Sequence, residues 1–213
     1  MTLDRRQHRA DATRERLLDA ALDVFARKGY HAAGVEDIVE ASGSSKGGFY
    51  FHFPSKQEIF LALCDQLAVR LLNSVAQAAS QQPTAAARID AALTDLLETL
   101  TRRQRLARIL LAEVGHLGPG LDPRLLGVHQ RFATAIRSYL DDAVAEGAIP
   151  PQDTDMAAWV WLGALNEVLS RWLQTGLPAD AAELVPSLRT VLRRSVGLDH
   201  TVASIPAPEQ EAR

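Results

Sequence analysis

The sequence predicts an all-α protein in which a small N-terminal domain with a helix-turn-helix precedes a larger C-terminal helical domain. Apolar residues recur every three to four positions along nearly all of the 213 residues, and the two-residue alternation typical of strands is absent. Glycine and proline turn signals divide the chain into short segments as far as Pro54 and into longer ones beyond Pro83. We therefore expect short helices first and a bundle of long helices after them.

Turn signals and local composition set the expected boundaries. The first residues are basic, whereas the last segment contains two prolines and few apolar residues, which is typical of disorder. The expected parts are a basic arm over 1–10, a small domain over 11–60 with its helix-turn-helix at about 34–53, a helical domain over 61–197 and a disordered tail over 198–213.

Composition disfavours several classes of protein. No uninterrupted apolar run reaches the roughly 18 residues that a membrane-spanning helix needs. The charged N-terminus lacks the apolar segment of a secretory signal. Cys64 is the one cysteine, which excludes an internal disulfide and a multi-cysteine metal site. We expect a cytoplasmic protein with no membrane contact, no metal and no cofactor.

The first helix is expected to begin near Asp11 or Thr13 and to end at Gly29. Either of the first two side chains can cap free backbone N–H groups, and glycine commonly ends a helix. Apolar spacing places one face of this helix in the core, with Leu17, Ala21, Val24 and Phe25.

A second and a third helix are short and are separated by a turn at Gly43. Gly34 can cap the second helix, and the third begins near Ser45 and ends before Pro54. Two short helices joined by a tight turn can present the second of them to the major groove of DNA. Ser55 can then cap a long fourth helix.

The composition of the third helix favours close contact between its backbone and another molecule. Gly47 and Gly48 are adjacent in its first turn, where each costs about 1 kcal/mol relative to alanine. Glycine is favoured where a ligand must approach the backbone closely. Charge supports nucleic-acid binding only locally, because Ala41–Gln57 carries Lys46 and Lys56 and no acidic residue, while residues 1–60 are neutral overall.

These segments carry a resemblance to a known family. Over about residues 11–60 the sequence resembles the N-terminal domain of the TetR family, the tetracycline-repressor family of bacterial transcription regulators. The matching segments are Thr13–Ala21 with Phe25, Lys28–Tyr30, Val35–Ile38, Ala41–Gly43, Ser45–Gly47 and Phe49–Lys56. The resemblance implies a homodimer that places two recognition helices in successive major grooves of a palindromic operator, usually as a repressor that a small ligand releases.

The positions that match the family imply a DNA-binding set and two core residues, Phe49 and Phe53. The residues implied to face the DNA are Ser45, Lys46, Gly47 and Gly48, and those implied to contact phosphates are Tyr50, His52 and Lys56. The arm adds Arg5, Arg6 and Arg9, which either are solvated or follow the DNA backbone or minor groove. Because few other long side chains are available to read base edges, we expect specificity to depend partly on DNA shape.

The second domain offers a surface for a second copy of the chain. The helix from Asp153 to about Gln174 is apolar nearly all round in its first half, which predicts that it is covered on two sides. The resemblance implies that this helix and the last one pair with their symmetry mates as a four-helix bundle. The expected interface residues are Trp161, Leu165, Val168, Trp172, Leu184, Leu188, Val191 and Leu192. The alternative is that both apolar faces are buried within one subunit.

Polar residues that interrupt apolar stripes suggest a pocket for a small, lipophilic effector. Glu113, His129 and Asn166 each stand on an otherwise apolar stripe, as the orienting groups of a ligand pocket do. Each alone is more often a hydrogen-bonded core residue. The expected lining residues are Glu113, His129, Phe132, Trp159, Leu162 and Asn166.

Two other classes of function compete with a DNA-binding regulator. An enzyme has little support, because the histidines lack metal-ligand spacing and no nucleophile elbow or zinc-protease motif is present. Gly43–Gly48 also lacks the ending of a phosphate-binding loop. The stronger rival is a helical ligand-binding or scaffold protein whose DNA domain no longer functions.

Overall fold

The structure is a computed structural model that describes residues 2–112, 123–176 and 181–198, with side chains from Ala10 onward. Within these ranges the protein is all-α, as the sequence predicts. Glu113 and all of the expected tail except Leu198 lie outside the described residues. The helices are α1 (Thr2–Ala32), α2 (Val35–Ser42), α3 (Lys46–His52), α4 (Lys56–Ser80), α5 (Ala85–Arg102), α6 (Gln104–Ala112), α7 (Pro123–Ala145), α8 (Thr154–Thr175) and α9 (Ala181–Ser195).

The first helix begins earlier than predicted. It starts at Thr2 rather than near Asp11 or Thr13, so the backbone of the expected arm is helical. The reason is that neither glycine nor proline occurs before Gly29, and the intervening residues include many good helix formers. Gly29 interrupts the helix with a φ of 74° and a ψ of 164°, a conformation that glycine adopts readily.

The small domain is built around a cluster of aromatic residues. Phe49 and Phe53 are buried, which agrees with the core role that the sequence implies for them. Phe25 and Phe60 meet edge to face, with ring centroids 5.3 Å apart. These rings join α1, α3 and the start of α4 into one packed unit. The domain therefore holds α3 firmly from its inner side.

The turn between α2 and α3 has the predicted position. Gly43 is left-handed, with a φ of 63°, and its N–H donates to the carbonyl of Glu40. The N–H of Ser44 donates to the carbonyl of Val39, which completes the end of α2. At the start of α2, the N–H of Gly34 donates to Asp37 at 3.0 Å. This short connection fixes α3 against α2.

Helix α4 connects the small domain to the larger one. Its cap is Ser55, as predicted, whose hydroxyl accepts from the N–H of Glu58 at 3.2 Å. Among the described helices, α4 is the one that is long and apolar enough to cross a membrane by length and composition, and half of that apolar stretch is buried. It packs against α1, α5, α6 and α7, which accounts for its buried apolar residues as core.

Ion pairs join α7 of the larger domain to α4. Arg124 makes two contacts of 2.8 Å with the carboxylate of Glu58, and Arg131 pairs with Asp65 about two turns further along both helices. Exposed pairs of this kind contribute little to stability, but a two-pronged arginine–carboxylate contact fixes orientation. A displacement of α7 therefore acts directly on α4.

Candidate DNA interface and candidate ligand cavity

Helix α3 presents one face away from the protein. Successive residues of a helix are turned by about 100°, so Gly47 and Phe51 lie on the side opposite to the fully buried Phe49. The side chain of Phe51 is 79% exposed and that of Tyr50 is 48% exposed. The outer face of α3 therefore combines a smooth glycine surface with two projecting aromatic rings.

The two adjacent glycines of α3 have different surroundings. Ser45 caps the helix, because its hydroxyl accepts from the N–H of Gly48 at 3.0 Å. A Cβ added at Gly48 would lie 3.3 Å from that hydroxyl, whereas one at Gly47 would meet it only at 4.0 Å. A side chain at Gly48 would therefore crowd the capping hydroxyl, which is a local reason for glycine at this position. The fold leaves room for a side chain at Gly47, so contact between this glycine and DNA stays a prediction.

Lys46 lies at the junction of α2 and α3. Its ammonium is 2.7 Å from the carboxylate of Glu36, and both side chains are exposed. This hydrogen bond is the main cause that lowers the pKa of Glu36 and raises the pKa of Lys46. Lys46 is thus held as a cation at the edge of the outer face of α3.

The structure gives Lys56 a different role from the phosphate contact that the resemblance implies. Its ammonium donates to the backbone carbonyls of Tyr30 at 2.8 Å, Ala33 at 2.9 Å and His31 at 3.3 Å. An ammonium has three N–H donors, so these bonds use all of them. The ammonium also lies 4.6 Å from the centre of the Tyr30 ring. Lys56 therefore fastens the end of α1 to the start of α4.

The remaining predicted DNA contacts lie on two helices. His52 is half-buried, and its ring meets that of Phe51 edge to face at 4.9 Å. Arg5, Arg6 and Arg9 fall on the first turns of α1, but their side chains lie outside the described part of the structure. Contact between these arginines and DNA stays a prediction.

A cavity of about 90 Å³ lies in the larger domain, between α4, α5, α6, α7 and α8. Its lining is mostly leucine, isoleucine, valine and aromatic side chains, and none of the described lining residues carries a formal charge at neutral pH. The polar side chains that line it are His129 and Tyr139 on α7 and Asn166 on α8. Of the residues predicted to bind a ligand, His129, Phe132, Leu162 and Asn166 line this cavity.

The predicted roles of Trp161, Leu165 and Trp159 on α8 need correction. Trp161 and Leu165, expected at a dimer interface, are buried and line the cavity, and the indole N–H of Trp161 donates to Ser195 at 3.0 Å. Trp159, expected in the pocket, is 41% exposed on the other side. Apolar residues lie on both sides of α8, so the periodicity could not indicate which of them face the subunit's own core.

Most of the other predicted interface residues also pack inside one subunit. Trp172 on α8 is buried, and so are Leu184, Leu188 and Leu192 on α9. Val168 is partly buried against the same core. Val191 is the one member of the predicted set that stays exposed, at 62%.

The outward sides of α8 and α9 carry a different set of apolar residues. Met156, Trp159 and Val160 are exposed on α8, and Val191 is exposed on α9. We call these four residues the α8–α9 apolar surface. A hydrogen bond from the indole N–H of Trp161 to Ser195 joins the two helices at one point. Met156 and Val160 are absent from the predicted interface, although their one-turn spacing on an apolar helix is a signal for it.

The protonation of His129 leads to a pH-dependent prediction. Burial lowers the pKa of His129 from its ordinary value of 6.5, because the charged form is poorly solvated there. As the pH falls, His129 is therefore protonated in the unfolded chain before it is protonated in the folded protein. The resulting stabilisation is complete above pH 6.5 and is lost as the pH falls from there through the folded-state pKa.

We expect the free energy of unfolding in urea to fall less between pH 7.5 and pH 5.5 for His129→Gln than for the unaltered protein. The exposed His31 provides the matched control, since His31→Gln should keep the original pH dependence. Equal pH dependence in all three proteins would contradict the assignment.

Comparison with known proteins covers both domains. Residues 17–63 match the model of the family "Bacterial regulatory proteins, tetR family". Residues 82–196 match the model "Tetracyclin repressor-like, C-terminal domain". The second match extends over more than half of the chain, well beyond the helix-turn-helix.

Individual relatives are transcription regulators. The chain is 20% identical over 177 residues to the fatty acid metabolism regulator protein of Bacillus subtilis, which covers 83% of this chain and 91% of that protein. It is 44% identical over 68 residues to the HTH-type transcriptional activator FasR of Mycolicibacterium smegmatis. That second match covers 32% of this chain and 31% of the relative.

Solved structures share the fold. The regulator FadR from Bacillus subtilis, in complex with stearoyl-CoA, has a TM-score of 0.78 and 20% identity, with 87% of this chain and 99% of that chain covered. The fatty acid degradation regulator FadR from Bacillus halodurans has a TM-score of 0.77 and 22% identity, with coverage of 84% and 96%. At these identities the likeness establishes the arrangement of helices.

Proposed function

Because this chain belongs to the TetR family of bacterial DNA-binding transcription regulators, we propose that it binds a palindromic operator as a homodimer and represses transcription until a lipophilic effector releases it. The family and the relatives are regulators rather than enzymes. The matches to both domains also favour a regulator over the rival scaffold protein. We place its action in the cytoplasm, where the operator DNA is, without a membrane partner.

The observation that carries the proposed ligand class is the uncharged apolar cavity between five helices. A ligand buried there needs an apolar part, and His129, Tyr139 and Asn166 offer a small number of orienting hydrogen bonds. The solved relative from Bacillus subtilis was crystallised with stearoyl-CoA. We therefore propose that the effector contains a long acyl chain and that this chain enters the cavity.

Helix α7 provides a route from the cavity to the DNA-binding domain. It contributes His129 and Phe132 to the cavity, and it also carries Arg124 and Arg131, which pair with α4. A ligand that binds one position of α7 better than another shifts the protein toward that position. Since α4 follows α3 after a short turn, the shift changes where the recognition helix stands.

The α8–α9 apolar surface supports the proposed homodimer. Exposed apolar side chains grouped on neighbouring helices commonly mark a protein–protein interface. A twofold axis through such a surface pairs the same residues of both copies. The dimer then presents two copies of α3 to half-sites that lie about 34–36 Å apart on DNA.

The test begins with genome-wide recovery of DNA bound to the protein, which identifies the operator. Fluorescence anisotropy of that operator then follows release of the protein on addition of acyl-CoAs of increasing chain length. We expect release by long chains and none by acetyl-CoA. Deleting the gene should raise transcription next to the operator, and a fall would contradict repression.

A cavity-filling variant separates ligand binding from DNA binding. Ala135 lines the cavity, and Ala135→Phe should weaken the response to long acyl chains about 10- to 100-fold, since overpacking typically costs about 1–3 kcal/mol. Operator affinity in the absence of effector should not change. Ser138 is exposed on the same helix, so Ser138→Phe is the matched control and should respond like the unaltered protein. An unchanged response of Ala135→Phe would refute the cavity assignment.

A further inference from the structure

Phe51 is the most exposed large apolar side chain among the described residues. It is 79% exposed and lies on the outer face of α3, opposite the buried Phe49. Its ring contacts the ring of His52 on the same helix, with ring centroids 4.9 Å apart. The core of the small domain is thus complete without it. On the proposed DNA-facing surface, this fully apolar side chain calls for an apolar partner on the DNA.

The neighbours of Phe51 shape the surface around it. Gly47 lies one turn earlier on the same side of α3 and adds no side chain. Since a helix rises about 1.5 Å per residue, the two Cα atoms are about 6 Å apart along the axis. The backbone at Gly47 can therefore approach the DNA closely while the ring of Phe51 extends beside it. Lys46 and Tyr50 supply polar groups at the side of this ridge.

The chemistry of the major groove restricts what the ring can contact. The groove edges of the bases present hydrogen-bond donors and acceptors, and thymine alone adds a methyl group. A phenyl ring has no polar atom, so packing it on a polar edge would remove water without replacing its hydrogen bonds. Packing it on a methyl group instead buries apolar surface on both partners.

We propose that Phe51 reads thymine, by packing its ring against the 5-methyl group of one thymine in each operator half-site. The ring would select that base by apolar contact. Lys46, the long polar side chain nearby, could instead contact base edges only by hydrogen bonds. The inference rests on the proposed function, because it needs specific operator binding. It adds a sequence-determining residue that the family resemblance did not identify in this chain.

Deoxyuridine provides a direct test, because it differs from thymidine by the methyl group alone. Each thymine of a recovered half-site is replaced in turn by deoxyuridine, and the affinity of the full-length protein is measured by anisotropy. We expect one position at which removal of the methyl group weakens binding about fourfold per half-site, which is the effect of burying one carbon group. At that position Phe51→Ala should bind the two duplexes equally, whereas Phe51→Leu should keep part of the preference.

Two controls make the outcome decisive. Thermal melting should show that Phe51→Ala is as stable as the unaltered protein, since the side chain is exposed. Val69→Ala, which removes an exposed apolar side chain from α4, should leave the methyl preference intact. Failure of the unaltered protein to bind any operator would overturn the proposed function. Specific binding with no methyl dependence, or with the same dependence in Phe51→Ala, would overturn this inference alone.

Discussion

Replacing both Val160 and Val191 by glutamate is expected to convert the protein into a folded monomer that binds its operator about 100- to 10,000-fold more weakly. Both side chains are exposed in the single subunit, so glutamate disturbs no internal packing there. In the proposed dimer the same change buries four carboxylates against apolar neighbours, which opposes association. A monomer engages one half-site and loses the gain of about 10²–10⁴ that linked binding provides.

Sedimentation velocity measures the first effect and anisotropy measures the second, on a full palindrome and on an isolated half-site. Affinity for the half-site should stay the same in the variant, because α3 is unchanged. Val69→Glu is the matched control, since Val69 is also an exposed valine but lies on α4. Persistence of a dimer in the double variant would show that the interface lies on another surface.

Replacing Gly47 by leucine is expected to weaken operator binding about 10- to 100-fold without destabilising the protein. Only the hydroxyl of Ser45 lies within 4.0 Å of a Cβ at this position, so the fold has room for a side chain. In the proposed complex the DNA surface leaves no such room, and inserting extra atoms into a packed contact costs about 1–3 kcal/mol. Gly47→Ala should raise the free energy of unfolding by up to about 1 kcal/mol, because alanine is the better helix former.

The distinguishing result is that substitution of Gly47 weakens operator binding while the free energy of unfolding does not fall. Gly127 on α7 provides the control, because an added Cβ there also has room, with no atom within 4 Å. Gly127→Ala should give a comparable rise in stability with unchanged operator affinity. If Gly47→Leu bound the operator as tightly as the unaltered protein, close approach of DNA at this glycine would be ruled out.

The features that the sequence predicted correctly depend on local information. Gly43 ends α2 because a left-handed turn needs glycine, and Ser45 and Ser55 cap helices because their hydroxyls accept nearby N–H groups. His129 and Asn166 line a cavity, as their position on apolar stripes indicated. Each of these signals is complete within one or two turns of helix.

The features that the sequence did not predict depend on contacts between distant residues. Lys56 bonds to carbonyls about 25 residues away, and a long flexible side chain gives no sign in the sequence of where its ammonium lies. Apolar residues lie on both sides of α8, so periodicity could not show that Trp161 is buried whereas Trp159 is exposed. Tertiary packing decides both cases.

The bonds of Lys56 make the small domain and the start of α4 a single mechanical body. Because three hydrogen bonds hold the start of α4 to the end of α1, the small domain turns together with α4. The recognition helix therefore follows the direction of α4. The 25 residues of α4 span about 37 Å, and a tilt of about 5° at one end moves the other by about 3 Å. In the proposed dimer, a small adjustment around a bound acyl chain would thus displace the two recognition helices enough to remove them from register with the grooves of DNA.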